Sequence, residues 1–442
     1  MVNGLLADAV IFIGSRRLQS GRVGCAHHAS SGPMQTGGPC PPYMLLAGAA
    51  VTMIVVAATI GYGRWRLRQT AEYLKEGPLV ASLQSNVPIS VKRSFKAGVD
   101  IFNELMDKSL AAAKTGAGLI VWPETMVQGL LDPRLWPLLE GDLSQDKDFH
   151  QALCEHARNT AYVLVGGYGA EILRNGSGER YLGKYNSAYL YRPDGTRDPQ
   201  RYDKIHLVLF GEYIPFRWEF PWLFEQLAKF LPEGYNADYS LEHGKNYTIF
   251  EMAAQSGGEP NSPGRASGGE QDPSHRFGVI ICYEDTIPYV ARNFALDEQG
   301  RKRIDWLVNI SNDGWFVRFI KNPARVVPST ELPQHAAICA FRAVENRLPI
   351  LRSVNTGISC LIESTGRIRD GYLASSDKFP AEAMHRTGLT GWFSDKMPID
   401  TRVTFYSRHG EWFATSCVVL LVAAVLWPLG SWFARRRQRK AA

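Results

Sequence analysis

The chain has 442 residues, 45% hydrophobic and 21% charged, enough for one large globular domain with a buried core and further segments beside it. Its net charge of +6 is concentrated at the end, where Arg435, Arg436, Arg437, Arg439 and Lys440 cluster; no basic stripe interleaved with aromatics crosses the middle, which argues against nucleic acid as a partner and for a membrane flank. Seven cysteines, at 25, 40, 154, 282, 339, 360 and 417, include no CxxC pair and fit neither a zinc site nor a dense disulfide framework, and with no phosphate-binding glycine loop the expectation is no metal and no cofactor.

In chain order, residues 1–42 are rich in Gly, Ser and Pro and read as a disordered, non-essential tail, since the apolar piece Val10–Ile13 is too short for a signal-peptide core. Residues 43–62 carry no charge and reach the ~20 residues that a bilayer core requires, so they read as a transmembrane helix. Arginines stand on both sides of it, at 16, 17 and 22 and at 64, 66 and 68, and leave its orientation open. A catalytic domain is expected over 78–400. Leu79–Leu83 reads as a buried strand, and Phe95–Lys114 spaces Phe95, Val99, Phe102, Leu105, Met106 and Leu110 as a helix that Gly116 ends. Leu119–Trp122 is a strand stopped by Pro123, followed by a helix near 148–159, a strand at Tyr162–Gly166, and the alternating Tyr185–Tyr191 before a Pro-Asp-Gly turn. Residues 254–275, dense in Gly, Ser, Pro and Glu, read as a surface insertion. Further strands are expected at Phe277–Ile281, Trp306–Ile310, Pro349–Val354 and Ile358–Glu363, with a helix over Gln334–Asn346. Residues 412–433 form a second uncharged stretch of spanning length, and 434–442 a basic cytoplasmic tail. That charge bias predicts a hairpin with both termini inside and the domain on the outer face of the membrane. Strands alternating with helices give an α/β domain whose chemistry belongs at strand ends.

Three such places carry candidate groups: Glu124 after Leu119–Pro123, Cys282 after Phe277–Ile281, and between them Tyr202-Asp-Lys204-Ile-His206 leading to Phe210-Gly-Glu212. A cysteine after an apolar run is more often a small buried hydrophobe than a nucleophile. The Tyr283-Glu284-Asp285 that follows is poor company for an inert thiol, and a nucleophilic thiol needs a base and a cation, which Glu124 and Lys204 supply. Lys204 and the backbone N–H after Cys282 also suit an oxyanion. His206 and His335 read as structural histidines rather than partners of a Cys–His pair.

Trp122-Pro-Glu124, Tyr202-Asp-Lys204 and Cys282-Tyr-Glu284 stand in the order and spacing of the Glu–Lys–Cys triad, and the chain resembles the nitrilase or carbon–nitrogen hydrolase superfamily. Within it, Gln84-Ser-Asn86, the segment Lys204–Pro215, Ser311–Phe316, Arg352–Gly357 and Phe405–Trp412 are similar to the apolipoprotein N-acyltransferase family, over roughly residues 65–433. The resemblance implies a four-layer αββα sandwich flanked by one N-terminal and one C-terminal transmembrane helix. It implies Glu124 as general base, Lys204 as oxyanion stabiliser and Cys282 as nucleophile, with Glu212 holding the lysine region and Tyr283 and Glu284 shaping the site. The activity implied is transfer of an acyl chain from a phospholipid, through a Cys282 thioester, to the α-amine of the lipidated N-terminal cysteine of an apolipoprotein, at the periplasmic face of a bacterial inner membrane. That family carries several membrane helices ahead of its catalytic domain where this chain shows one. The expectation therefore includes a separate membrane-helix subunit, or a chain that is shortened or mis-started. The competing readings are a membrane-tethered amidase with the same triad, and a non-catalytic lipid- or lipoprotein-binding partner.

Overall fold

The computed structural model describes residues 42–88, 95–230, 240–253, 274–321 and 324–441. The tail expected over 1–42 lies outside these residues except for Pro42, as does nearly all of the insertion expected over 254–275. The chain divides into two units, Met1–Glu72 and Tyr73–Ala442. In the first, helix α1 spans Pro42–Arg68, and its stretch Leu46–Arg68 is apolar and long enough to cross a membrane, with none of it buried.

The second unit begins with β1 (Leu74–Gln84), α2 (Phe95–Ala113), β2 (Leu119–Val121), α3 (Ser144–Asn159), β3 (Tyr162–Arg174), β4 (Arg180–Tyr191) and β5 (Arg197–Asp203). It continues through α4 (Pro221–Ala228), β6 (Ile249–Ala253), β7 (Ser274–Ile281), α5 (Pro288–Ala295), β8 (Trp306–Asn312), the hairpin β9 (Val317–Lys321) and β10 (Ala324–Pro328), α6 (Glu331–Asn346), β11 (Ile350–Asn355) and β12 (Cys360–Ile362). It closes with β13 (Ala374–Ser375), β14 (Gly391–Asp400), α7 (Phe405–His409) and α8 (Trp412–Ala441). One sheet runs β13-β14-β1-β2-β3-β4-β5 and the other β12-β11-β8-β7-β6, each with a parallel centre and antiparallel edges.

Period-two alternation decides the layers. On the larger sheet Val80, Leu119, Val121, Leu164, Ala188 and Leu190 join one core with Phe277, Val279 and Val308 of the other sheet, and that core continues to Phe294 of α5 and Ala336 of α6. Their strand neighbours Ala81, Leu83, Ile120, Val163 and Val165 pack instead with Ile101, Phe102 and Leu105 of α2 and Phe149 and Leu153 of α3. Helices, sheet, sheet and helices therefore stack in that order. The two sheets are also bonded to one another: Ser82 Oγ donates to the Arg352 carbonyl at 2.9 Å, and Ser353 Oγ to the carbonyls of Leu83 and Val121 at 2.7 and 3.0 Å.

The strand expected at Leu79–Leu83 begins earlier, at Leu74, which pairs with Asp400 across β1 and β14. Ser274 pairs with Ala253, so the flanks of the insertion expected over about 254–275 meet in β6 and β7. The second span expected over 412–433 lies on α8, and the part of it described side chain by side chain, Trp412–Pro428, is apolar.

Behind the first sheet, His156 of α3 is 5% exposed, with its Nε2 2.7 Å from Ser109 Oγ, to which Trp122 Nε1 also donates at 3.2 Å. Burial depresses this imidazole to about 4. A histidine held below its unfolded value near 6.5 contributes stability that is full above that value and lost as pH falls toward 4. The expected loss between pH 6.5 and 4 is on the order of 3 kcal/mol. Denaturation midpoints of the detergent-solubilised protein against His156→Gln check it, with the acid-side slope flattened in the variant.

Candidate active site

The chemistry gathers where strands of both sheets end side by side. Glu124 follows β2 on a loop that must bend sharply: Thr125 has φ +47°, a left-handed conformation uncommon for a side chain with Cβ branching. The loop lies against bare backbone of β3. A Cβ on Gly166 would stand 2.6 Å from Thr125 N, 2.7 Å from Pro123 O and 2.8 Å from Glu124 Cα. Gly166→Ala must therefore push Glu124 aside, and a displacement approaching 1 Å costs on the order of 10²-fold in rate. The expected result is a large fall in kcat with the protein still folded, read by steady-state kinetics beside thermal unfolding.

Glu124 is 5% exposed and held from both sheets. Its Oε1 accepts from Asn186 Nδ2 of β4 at 2.7 Å and its Oε2 from the backbone N–H of Asn312 at 2.7 Å. Lys204, 1% exposed, places Nζ 3.8 Å from Glu124 Oε1 but 2.8 Å from Glu212 Oε1. Glu212 also accepts from Asn186 Nδ2 at 3.1 Å and from Val208 N at 2.9 Å, so the Asn186 amide straddles the two carboxylates. The shorter ion pair belongs to Glu212, which leaves Glu124 the less engaged of the two. Burial alone would drive the Lys204 ammonium down, but Cys282, Glu212 and Glu124 around it hold its pKa above the ordinary lysine value. Lys204 stays a cation and is unsuited to accept a proton.

Cys282 ends β7 and opens a 3-10 turn, Cys282–Thr286, with φ +49°. A non-glycine residue held there is strained by about 1–2 kcal/mol, and the bend turns the side chain out of the strand line. The thiol is 8% exposed. Burial raises its pKa well above the usual range, Glu124 adds to the rise and Lys204 opposes it. It rests as a thiol, so attack requires a base that takes the proton during the step.

Glu284 is the clasp between the cysteine and lysine segments. Fully buried, it accepts from Ile281 N at 2.7 Å on the cysteine side and from Ile205 N at 2.7 Å, His206 N at 3.0 Å and Tyr202 OH on the lysine side. Burial raises its carboxyl to about 7 in spite of the donors from Ile281 and His206.

A buried charge network underlies both loops. Arg352 of β11, 0% exposed, donates Nη2 to Asp313 Oδ2 at 2.7 Å and Nη1 to Asp285 Oδ2 at 3.1 Å and Asn309 Oδ1 at 2.5 Å. Asp285 lies in the turn that starts at Cys282, and His335 Nδ1 is 2.9 Å from its Oδ2. Asp313 follows Asn312, the residue whose N–H holds Glu124.

Beyond the lysine segment several large apolar side chains are exposed. Past Lys204 come Leu209, Phe210, Phe216, Trp218, Phe220 and Trp222, all 40–65% exposed, and across the sequence Trp315 is 56% exposed. Tyr283 is 37% exposed with its ring 6.0 Å from His206, and His206 Nδ1 is 2.9 Å from Tyr289 OH. Phe316 packs 5.1 Å from His335.

Of the residues expected from sequence, Glu124, Lys204, Cys282, Glu212 and Glu284 come together in one buried cluster, and Tyr283 sits at its edge. Asn186, Asn312, Asp285, Asp313 and Arg352 take part without having been singled out. Asn312, Asp313 and Arg352 stood inside segments quoted for their resemblance, and Asp285 directly followed the Cys282 motif, whereas Asn186 in Tyr185–Tyr191 gave no signal beyond an ordinary strand polar residue. Of the two histidines considered from the sequence, His335 bonds to Asp285 and His206 to Tyr289.

Residues 79–375 match the carbon–nitrogen hydrolase family. The chain is 30% identical over 379 residues to an apolipoprotein N-acyltransferase of Geobacter metallireducens, covering 83% of this chain and 56% of that protein. It is 27% identical over 384 residues to the apolipoprotein N-acyltransferase of Rhodopseudomonas palustris, covering 85% of this chain and 59% of the relative. The chain thus spans somewhat more than half the length of these relatives. Among solved structures, an amidase from Nesterenkonia sp. aligns with a TM-score of 0.44 at 14% identity over 76% of this chain and 97% of the other.

Proposed function

Since the chain belongs to the carbon–nitrogen hydrolase family, we propose that it is an N-acyltransferase of the membrane surface, with the buried cluster at Cys282 as its catalytic centre. The relatives it matches over most of its length are named apolipoprotein N-acyltransferase, and that activity, with a phospholipid as donor and an apolipoprotein as acceptor, is the reading advanced for this chain. The observation that carries a transferase over a small-amide hydrolase is the run of exposed apolar side chains from Leu209 to Trp222, directly after Lys204. Exposed apolar side chains that follow the lysine segment suit an acyl chain delivered from a bilayer, whereas a soluble amide needs none.

In the proposed mechanism Cys282 Sγ attacks the donor's ester carbonyl while Glu124 takes the thiol proton. The oxyanion faces the Lys204 ammonium and the N–H of Tyr283, which lies in the first turn of a 3-10 helix where backbone donors have no partner inside the helix. Glu124 returns the proton to the leaving alkoxide as the C–O bond breaks, leaving the thioester. The acceptor amine then attacks that thioester, Glu124 takes its proton, and the thiolate leaves to be reprotonated. Glu212 keeps Lys204 charged and aimed, and Glu284 fixes the cysteine turn to the lysine segment. The catalytic domain is assigned to about residues 74–400, with α1 and α8 as membrane anchors and the domain on the periplasmic face of an inner membrane.

The test is mass spectrometry of the purified protein in detergent after incubation with phosphatidylethanolamine, wild type beside Cys282→Ala. A hydroxylamine-sensitive fatty-acyl adduct on Cys282, absent from the variant, is expected. A folded protein that forms no adduct, yet hydrolyses small amides, would transfer the assignment to the membrane-tethered amidase.

A further inference from the structure

A second polar cleft lies away from Cys282, between α5, the turn that follows it and α7. Its volume is ≈ 490 Å³, and three arginines line it: Arg292, Arg303 and Arg408. Arg292 joins the two helices, donating Nε to the Tyr406 carbonyl at 3.2 Å and Nη2 to the Arg408 carbonyl at 3.1 Å. Arg303 reaches the carbonyls of Asn293 and Tyr247 only at 3.4 and 3.5 Å, too long to engage its donors fully. The Arg408 guanidinium is exposed and makes no hydrogen bond or ion pair among the described residues. The carboxylates nearby do not neutralise the three. Asp297 accepts from the N–H groups of Gln299 and Arg301 and from Arg301 Nε within its own turn, which leaves Glu298 at the rim.

Position gives the cleft its meaning. Gly410 and Glu411 separate α7 from the apolar helix α8, so Arg408 stands just ahead of the helix. Phe405, Trp412 and Phe413, 50–69% exposed, surround this junction, with the Phe405 and Trp412 rings 5.7 Å apart. Aromatics grouped at the end of an apolar helix sit at headgroup depth, where the anionic group available to a guanidinium is a lipid phosphate.

We propose that this cleft binds the phosphate of a membrane phospholipid, held by Arg303 and Arg408 beside Arg292, as a resident lipid that seats the domain on the bilayer. The inference rests on the reading of α8 as a membrane anchor and not on the chemistry at Cys282. The bound lipid is distinct from the acyl donor. The lining of the arginine cleft shares no residue with the cluster of Glu124, Lys204, Glu212, Cys282 and Glu284. Glu298 at the rim suits a headgroup with a cationic end.

The experiment uses the full chain in phosphatidylcholine nanodiscs carrying a phosphatidylethanolamine analogue with a photoreactive diazirine on its headgroup, and the cross-linked peptides are mapped by mass spectrometry. Label is expected in the peptides spanning 292–303 and 405–408. It should fall by about tenfold or more in the double variant Arg303→Gln/Arg408→Gln, since each charged hydrogen bond removed is worth a factor of that order. Label should persist in Cys282→Ala. Equal labelling of the double variant, or label spread along α8 without concentration at the cleft, would overturn the proposal. Displacement by millimolar inorganic phosphate would overturn it too, by making the cleft a site for free anions. Failure of the Cys282 adduct with this labelling intact would sink the acyltransferase reading and leave the lipid site standing. Thermal unfolding of the double variant within a few degrees of wild type shows that lost label is not lost fold.

Discussion

Glu124→Gln is expected to slow formation of the Cys282 thioester by about 10²–10⁴-fold, the range that a positioned general base contributes. The substitution is nearly isosteric, but the amide oxygen keeps only one of the two contacts, to Asn186 Nδ2 or to Asn312 N, and its NH2 faces the other donor. What it removes is the proton acceptor. The pH profile separates this role from a structural one. In the wild type the base takes the proton during attack, so the rate should not track the thiolate fraction. In the variant the only route is the small fraction of thiolate, and burial keeps the Cys282 pKa well above its usual value. The variant's rate should therefore climb about tenfold per pH unit through the alkaline range, since the thiolate fraction rises in that proportion below the pKa. A variant that is slow but flat with pH would mean that Glu124 only positions its neighbours. Pre-steady-state acylation followed by mass spectrometry measures both.

Arg352→Met is expected to destabilise the domain by about 3–5 kcal/mol, the cost of leaving buried charge without its partner. Arg352, Asp285 and Asp313 are all 0% exposed, and the guanidinium bonds to both carboxylates. The two acids lie on different loops, one starting at Cys282 and the other following the residue that holds Glu124. Loss of Arg352 should therefore release both halves of the catalytic centre together. Arg352→Lys keeps the charge but has no fork to span two acids, so it should retain more stability than Arg352→Met while still losing kcat. Denaturant midpoints of the three proteins, with the acylation rate of Cys282 measured below each transition, check the two effects separately. Equal stability of Arg352→Met and wild type would show that the pairs with Asp285 and Asp313 contribute nothing net to the fold.

The elements legible in the sequence were those whose signal is local. Phe95–Ala113 and Trp306–Asn312 stand where periodicity and apolar runs put them, and Tyr162–Arg174 starts where expected but runs eight residues past Gly166, because one buried face at a fixed period leaves its mark on the residues themselves. The strand Gly391–Asp400 left no comparable mark. It carries Asp395, Lys396 and Pro398 among its apolar residues, and it exists by pairing with β1 from the far end of the chain. The hairpin β9–β10 and the short helix α5 were likewise not expected from the sequence.

For the site, sequence by itself determined the chemical types and their order: a carboxylate, a lysine and a cysteine, each just beyond an apolar run, and two apolar stretches at the ends of the domain. Side-chain chemistry and hydrophobic length are properties of the residue string, so they can be read without a fold. Only the tertiary structure decided which carboxylate holds Lys204, how Glu284 clasps two loops, and that Asn186, Asn312 and Arg352 belong to the same cluster. Those are matters of a few ångströms between segments far apart in the chain. Burial, which keeps Cys282 protonated, and the neighbouring groups that keep Lys204 charged in spite of burial come together only when the layers close over them.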